Sequence, residues 1–456
     1  MTTKPPSGTR DFLPADIRRR EHVVGVVRRV YEQYGYEPLE TPAFEHIETL
    51  LGKYGEEGNK LIFKILRRGE RETSGEADLA LRYDLTVPLA RVVAQYQNEL
   101  PKFFKRYQIQ PVWRADRPAK GRFREFFQCD IDSIGSTSAM VEVEQVSAVC
   151  EVLVALGFSD FQVRLNHRQL LAASLSVAGI AVERHGEALI IIDKLDKIGA
   201  QGVLDQLTSA FGHAAAADCL AAFAPVETSA LDALDLLSAG FDGNEAGLVA
   251  VSKLREIVRL SQATPAAPYL RLDRSLARGL SYYTGAIMEI SVPDLTGSLG
   301  GGGRYDNLVG MFLGRDVPAC GFSLGLERII VVMTERGMFE KVERGGVDVV
   351  VTFADEGART AALSLAHDLR GLSVRSADIE RRMRAETYPD ISKKFDRVWK
   401  HASTRGAVIV ASVGGSELPD HVGLRDIRIQ QRIPSVTKEL AASQIRDLVQ
   451  VAFLRE

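Results

Sequence analysis

The chain lacks most of what would mark a secreted, membrane-bound or zinc-dependent protein. Its 456 residues include only four cysteines. Cys129, Cys150, Cys219 and Cys320 are scattered, without the paired spacing of a zinc site or a disulfide framework, and read as reduced, mostly buried thiols in a cytoplasmic protein. No apolar run approaches the ~18 residues of a membrane span, and Met1 to Pro14 holds no apolar core of a signal peptide. An excess of one charge is missing too. With 57 Lys and Arg against 60 Asp and Glu, the net charge is −3, so any grip on a polyanion must be local. Neither G-x-x-x-x-G-K-[ST] nor H-E-x-x-H occurs, which leaves the ordinary nucleotide-loop and zinc-hydrolase readings without a basis. What remains is the composition of a globular protein, 45% hydrophobic and 26% charged, long enough for two or three domains with full cores.

Against that background, residues of fixed chemistry crowd into one region: Arg278-Gly279-Leu280-Ser281-Tyr282-Tyr283-Thr284-Gly285, then Gly301-Gly302-Gly303-Arg304-Tyr305-Asp306, then Gly325-Leu326-Glu327-Arg328. A glycine run lowers stability unless a backbone must approach something closely, and arginines in such places usually meet phosphate or carboxylate. A second concentration, Lys102, Lys105, Arg106, Arg114, Arg117, Lys120, Arg122 and Arg124, is opposed only by Asp116 and interleaved with Phe103, Phe104, Tyr107, Trp113 and Phe123. It reads either as a strand pair with a solvated basic loop or as an anion-binding strand-loop-strand. Residues 111–114 have the pattern of a strand, 117–121 of a Pro/Gly turn and 123–131 of a second strand.

The rest of the chain divides by pattern. Apolar spacing predicts an amphipathic helix over 17–34, stopped by Gly35, with 36–42 extended. A strand enters a turn at Leu81-Arg82-Tyr83-Asp84-Leu85-Thr86-Val87-Pro88. A helix over 138–156 and a strand over 161–166 follow. From 168 to 264 alanine and leucine dominate and helical spacing recurs, notably over 204–223 and 229–260, which predicts an all-helical insertion. Strand pattern returns at 269–272. From 347 a strand (347–353), a helix (358–369), a short strand near 373, a helix (390–402), strands (407–412 and 424–430) and a helix (435–453) suggest a separate small domain with a largely parallel sheet, joined through a linker at 343–346.

The Arg278 block resembles the histidine-specific signature of histidyl-tRNA synthetases, the glycine-rich block their second signature, and the Gly325 block motif 3 of class II aminoacyl-tRNA synthetases. The basic strand-loop-strand is similar to motif 2, and the first helix and strand, ending at Pro42, to motif 1, the dimer interface of that family. The resemblance covers nearly the whole chain. It implies an α+β catalytic domain, an antiparallel sheet with flanking helices, formed by 1–167 (motifs 1 and 2) and 265–340 (histidine signatures and motif 3). It also implies a helical insertion (168–264) beside the acceptor arm and an α/β anticodon-binding domain (347–456). The implied reaction joins two anions, because the carboxylate of histidine attacks the α-phosphate of ATP. Such a site needs several fixed cations and Mg2+, and hardly any covalent chemistry.

By resemblance, Arg114 and Arg278 flank the α-phosphate as the catalytic cations, Arg328 holds the γ-phosphate, and Arg122 belongs with them in the ATP site. Asp132 and Tyr283 read the imidazole, Asp84, Thr86 and Gln128 hold the α-amino group, and Tyr282 and Tyr305 line the pocket. No protein-held metal site is implied. The implied partners are L-histidine, ATP, histidine tRNA and a second copy of the chain, with no membrane. Two departures from many bacterial members, Arg82-Tyr83-Asp84-Leu85-Thr86 in place of Arg-Pro-Glu-Gly-Thr and Ala119 in place of glutamine, look like the eukaryote-like branch.

Two rival readings stand beside this one. Gly321-Phe322-Ser323-Leu324-Gly325 fits the G-x-S-x-G elbow of α/β-hydrolases, with His401 or His421 to complete a triad. The other is a non-catalytic, synthetase-like regulatory subunit of histidine biosynthesis. Such subunits lack an Arg278-type block and the C-terminal domain, and both are present here.

Overall fold

A computed structural model describes residues 2–67, 75–225, 228–241, 243–277, 282–339, 346–375, 380–391, 395–414 and 420–454. The chain forms two compact units, Met1–Met338 and Phe339–Glu456. The Arg278-Gly279-Leu280-Ser281 part of the signature block and most of the expected linker lie outside the described residues.

The first unit opens on the helix Pro14–Gln33, which buries Val23, Val26, Val27, Val30 and Tyr31 along one stripe. It starts a turn earlier than its apolar spacing suggested. Pro14 stands where a missing N–H costs nothing, and the Asp16 carboxylate accepts from the Leu13 N–H at 3.2 Å. Gly35, at φ +75°, ends it. Strand β1 (Glu37–Pro38) follows, and β2 (Phe44–His46), β3 (Lys64–Leu66) and β4 (Ala77–Leu81) make a small antiparallel sheet in the order β2-β4-β3.

The central sheet adds β5 (Phe104–Trp113), β6 (Glu125–Ile134), β7 (Gln162–His167), β8 (Leu270–Leu272), β9 (Ala286–Ser291), β10 (Ser298–Arg304) and β11 (Ala319–Gly325). Its strand order is β1-β5-β6-β11-β10-β9-β7-β8. From β5 to β7 every pairing is antiparallel, whereas β1–β5 and β7–β8 are parallel. The sheet is therefore mixed rather than purely antiparallel. The two parallel strands are edge strands of two and three residues that reach the sheet through long excursions. Helices Pro14–Gln33, Met140–Ala155 and Leu326–Glu335 pack together behind it, against the buried Cys129, Ile131, Phe322 and Leu324.

Register places polar residues of neighbouring strands in rows. Arg106 of β5 faces Asp132 of β6, and Gln108 faces Asp130. Asp132 in turn faces Gly321 of β11, and Asp130 faces Ser323. The glycine run of β10 follows from this tight layering. A Cβ on Gly302 would sit 2.3 Å from the Gly321 carbonyl oxygen, and one on Gly321 would sit 2.0 Å from Asp132 Oδ1. No side chain fits at either place.

Between β7 and β8 run the helices Arg168–Val177, His185–Ile192, Leu195–Phe211, His213–Ala222, Ala230–Gly240 and Glu245–Ser261. Leu171, Leu175, Val203, Leu207, Cys219 and Phe223 share one core with Leu276, Ala277 and Ile287, so the first four of these helices pack onto the sheet at β9. The helix expected over 204–223 is two helices, because Gly212 takes φ +86° between them.

The second unit carries β12 (Val349–Phe353), β13 (Ser373–Arg375), β14 (Glu380–Arg382), β15 (Ala385–Thr387), β16 (Ile409–Val413), β17 (His421–Asp426) and β18 (Gln431–Thr437). Helices Arg359–Gly371, Phe395–Thr404 and Ala441–Leu454 accompany them. The sheet order is β15-β12-β16-β17-β18. Only β15–β12 and β12–β16 are parallel, while β16–β17 and β17–β18 are antiparallel. This corrects the expectation of a largely parallel sheet. The strand expected over 424–430 turns at Gln430, φ +55°, and pairs as a hairpin. Residues 435–437, expected to open the last helix, finish β18, since β-branched Val436 and Thr437 favour a strand.

Candidate active site

A cavity of ≈ 370 Å³ lies over the polar face of the sheet. Asp84, Thr86, Gln128, Tyr282 and Tyr283 line it together with Arg114, Arg122 and Arg328. Residues more than two hundred positions apart in sequence thus share one chamber. Asp132 and Tyr305 do not line it. Both are buried behind its wall, where the Tyr305 hydroxyl donates to Asp132 and the ring lies edge-on to Tyr282, centroids 5.9 Å apart.

Asp84 anchors one end. It sits at the turn into the helix Thr86–Gln95. Its Oδ1 accepts from the Tyr54 hydroxyl at 2.9 Å and from the Val87 N–H at 3.1 Å, and its Oδ2 accepts from the Tyr282 hydroxyl at 3.0 Å. Burial pushes its carboxyl above the usual carboxylate range, and the Val87 N–H and Arg114 oppose the shift. Tyr54, which sequence reading did not single out, is buried and holds Asp84 in place; its only signal in the sequence is an aromatic near a turn.

Three cations line the same cavity. Arg114 donates through Nε to the Tyr83 carbonyl at 3.0 Å and stacks over the Tyr83 ring at 4.3 Å. Those contacts hold the guanidinium at the cavity wall. Arg328 donates to the Gly121 and Ser298 carbonyls at 3.2 and 2.6 Å, tying the motif 2 turn to β10. Arg122 is half exposed, 3.9 Å from Asp116. Glu289 and Glu327 also line the cavity; Glu289 was missed as a single acidic residue in an apolar strand, and Glu327 was read only as part of its block, without a role. Glu327 accepts from the Phe127 N–H at 2.8 Å through Oε2, while its buried Oε1 has no hydrogen-bond partner among the described residues. Burial raises its pKa.

The basic concentration at 102–124 is not one surface. Arg106 is fully buried, Lys105 pairs with Glu144 at 2.8 Å, and Arg124 donates to the Ser7 and Asp116 carbonyls. Much of the charge read from sequence is thus used internally.

Beneath the cavity, Arg106 Nη2 lies 2.8 Å from Asp132 Oδ2 and also donates to the Leu85 carbonyl at 3.1 Å. Arg106 is the cation beside two buried carboxylates. Burial pushes the Asp130 carboxyl up to about 7, with Arg106 opposing and Asp132 reinforcing the shift. A folded-state pKa raised in this way means that Asp130 stabilises the fold most when protonated. Its contribution is fully present below the ordinary carboxylate range and is lost as pH rises through about 7. Melting temperatures should show this directly: relative to Asp130→Asn, the parent protein is expected to lose on the order of a few kcal/mol between pH 4 and pH 8. A constant difference across that range would mean that Asp130 is ionised throughout.

Ser323 is not a nucleophile elbow. It lies inside β11 rather than on a turn after a strand, and its Oγ accepts from Gln128 Nε2 at 2.7 Å. The two histidines considered for a triad belong to the second unit. The hydrolase reading is thereby removed.

A mixed sheet with a glycine-rich strand, backed by three helices and carrying arginines above a polar chamber, is the catalytic fold of class II aminoacyl-tRNA synthetases. The sequence model of a family described as histidyl-tRNA synthetase matches residues 8–329. A histidine–tRNA ligase of Gloeobacter violaceus is 40% identical over 96% of this chain and 98% of its own length, and one of Leifsonia xyli is 44% identical over 77% and 83%. Among solved structures, a histidyl-tRNA synthetase from Nostoc superposes with a TM-score of 0.79 at 27% identity, covering 98% of this chain and 99% of that one. This chain belongs to the histidyl-tRNA synthetase family. The relatives named here are bacterial, so they lend no support to the eukaryote-like placement suggested by Asp84 and Ala119.

Proposed function

We propose that the chain is a histidine–tRNA ligase. It activates L-histidine with ATP to histidyl-adenylate and diphosphate, then passes the histidyl group to the 3′ end of its tRNA. The observation that carries this reading is the single chamber in which a buried carboxylate with tyrosines meets three arginines. Asp84, with Thr86 and Gln128, receives the α-ammonium, and Tyr282 and Tyr283 close around the side chain. Tyr283 reads the imidazole from the cavity wall, and Asp132, assigned that task by resemblance, stands behind the wall bonded to Tyr305 and Arg106. A carboxylate oxygen of histidine attacks the α-phosphorus, and diphosphate leaves with the bonding electron pair. Arg114, and Arg278 by its place in the signature, stabilise the charge that builds on the phosphoryl oxygens, while Arg122 and Arg328 hold the outer phosphates. The Arg82-to-Thr86 wording is a matter of chemistry rather than lineage, since aspartate and glutamate both present a carboxylate to the ammonium.

Mg2+ suits this chamber. The unpartnered Oε1 of Glu327 and the carboxylate of Glu289 are hard oxygen donors of the kind that bind it alongside phosphates. When bound, the ion neutralises part of the phosphate charge. The working form is a cytoplasmic homodimer joined through the Pro14–Gln33 helix region.

ATP–pyrophosphate exchange with each of the twenty amino acids tests the activity. Histidine alone is expected to support it, because a site that pairs both imidazole nitrogens leaves buried polar groups unpaired with any other ligand. Exchange with several amino acids would sink the assignment, and none with any would favour the regulatory-subunit reading. The second unit serves the tRNA. A chain ending at Arg344 is expected to keep histidine-dependent exchange while it remains dimeric, yet to charge tRNA far more slowly. Full-rate charging by the shortened chain would remove the anticodon-binding role from the second unit.

A further inference from the structure

The Gly321-Phe322-Ser323-Leu324-Gly325 motif is left unused by the proposed reaction, yet its serine sits against the site. Ser323 of β11 stands opposite Asp130 of β6 in register, and its hydroxyl opposes the upward shift of that carboxyl's pKa. Its Oγ also accepts from Gln128 Nε2 at 2.7 Å. A hydroxyl has one proton to give. With the Gln128 N–H arriving at its oxygen, the Ser323 proton is left for Asp130 across the strand pair, which when ionised can only accept. The chain of donation runs in one direction, from Gln128 to Ser323 to Asp130.

The effect falls on the amide. A glutamine side chain can present either its NH2 or its carbonyl oxygen to a ligand, and its hydrogen-bond network decides which. Here the NH2 is held by Ser323, while Oε1 is buried without a hydrogen-bond partner among the described residues, on a side chain that lines the cavity. An unpaired buried acceptor is costly unless a ligand supplies the donor. An ammonium group supplies three and accepts none.

We infer that Asp130 and Ser323 are positioning residues that hold the Gln128 amide with its carbonyl oxygen toward the α-ammonium of the bound amino acid. The inference rests on the proposed histidine site. It gives the serine of the apparent elbow motif a task without nucleophilic chemistry, and it gives the second buried aspartate of β6 a role distinct from that of Asp132.

Two inhibitors separate positioning from general damage. L-histidinol keeps the ammonium and the imidazole, whereas imidazole-4-propionate keeps the imidazole and lacks the ammonium. Inhibition of histidine-dependent exchange by each is measured on the full-length protein at pH 8. In Ser323→Ala, the Ki for histidinol and the KM for histidine are expected to rise about tenfold. The Ki for imidazole-4-propionate and the KM for ATP should stay within about twofold. Ser323→Thr, which restores the hydroxyl, should recover most of the loss. Asp130→Asn can turn its NH2 toward Ser323 and reverse the hydroxyl, so it should weaken histidinol selectively as well; it carries the test if the alanine variant does not fold. Equal weakening of both inhibitors, or no change in any variant, overturns the inference. Failure of the parent protein to support exchange with histidine would instead overturn the proposed function.

Discussion

Alanine at Arg114 is expected to lower histidine-dependent ATP–pyrophosphate exchange by roughly 10²-fold or more while leaving histidine affinity within about tenfold. The guanidinium is held by the Tyr83 carbonyl and stacked on the Tyr83 ring, so its orientation is set before any ligand arrives. A cation fixed in that way stabilises charge as it forms and needs no reorganisation at the moment of reaction. Lysine should rescue poorly, because a flexible point charge reproduces neither the stacked plane nor the fork. Arg278→Ala is expected to behave alike on the strength of its place in the signature block. Exchange near the parent rate in either variant would make that arginine structural. The readout is steady-state exchange with histidine and ATP varied separately, which distinguishes a loss of rate from a loss of binding.

The second large effect belongs to Asp84. Asp84→Asn keeps the size of the side chain and removes the charge proposed to pair with the substrate ammonium. It also leaves either Tyr54 or Tyr282 facing an NH2 group instead of an acceptor oxygen. The KM for histidine is expected to rise by roughly 10²-fold, the scale of losing one partner of a buried charge pair, with the KM for ATP nearly unchanged. Equal changes in both constants would show that Asp84 shapes the chamber as a whole rather than holding the amino group.

Several of these residues could be read from the chain alone because their local context is distinctive. The Arg-Tyr-Asp-Leu-Thr turn, the tyrosine pair after Arg278 and the Gly-Leu-Glu-Arg run place polar chemistry, in the last two beside glycine, where a core does not need it. Tyr54, Arg106 and Glu289 carry no such mark. Arg106 in sequence is one of eight basic residues in a cluster, and only its register against Asp132 turns it from a surface charge into a buried counter-ion. The same holds for Ser323, whose motif suggested a nucleophile until its place inside β11 and its bond with Gln128 were known.

By itself the sequence determined the family signature blocks, the helical character of 168–264 and the change of pattern near residue 347, because periodicity, propensity and turn chemistry are local properties of a chain. Tertiary structure alone decided which edges of the central sheet run parallel, that the last sheet is mixed, and which charged side chains are turned inward. Strand direction and register depend on partners far away in sequence, so a short strand such as β1 or β8 carries no mark of its orientation. The same long-range pairing seats Asp130 opposite Ser323 and leaves the Gln128 oxygen waiting for a donor.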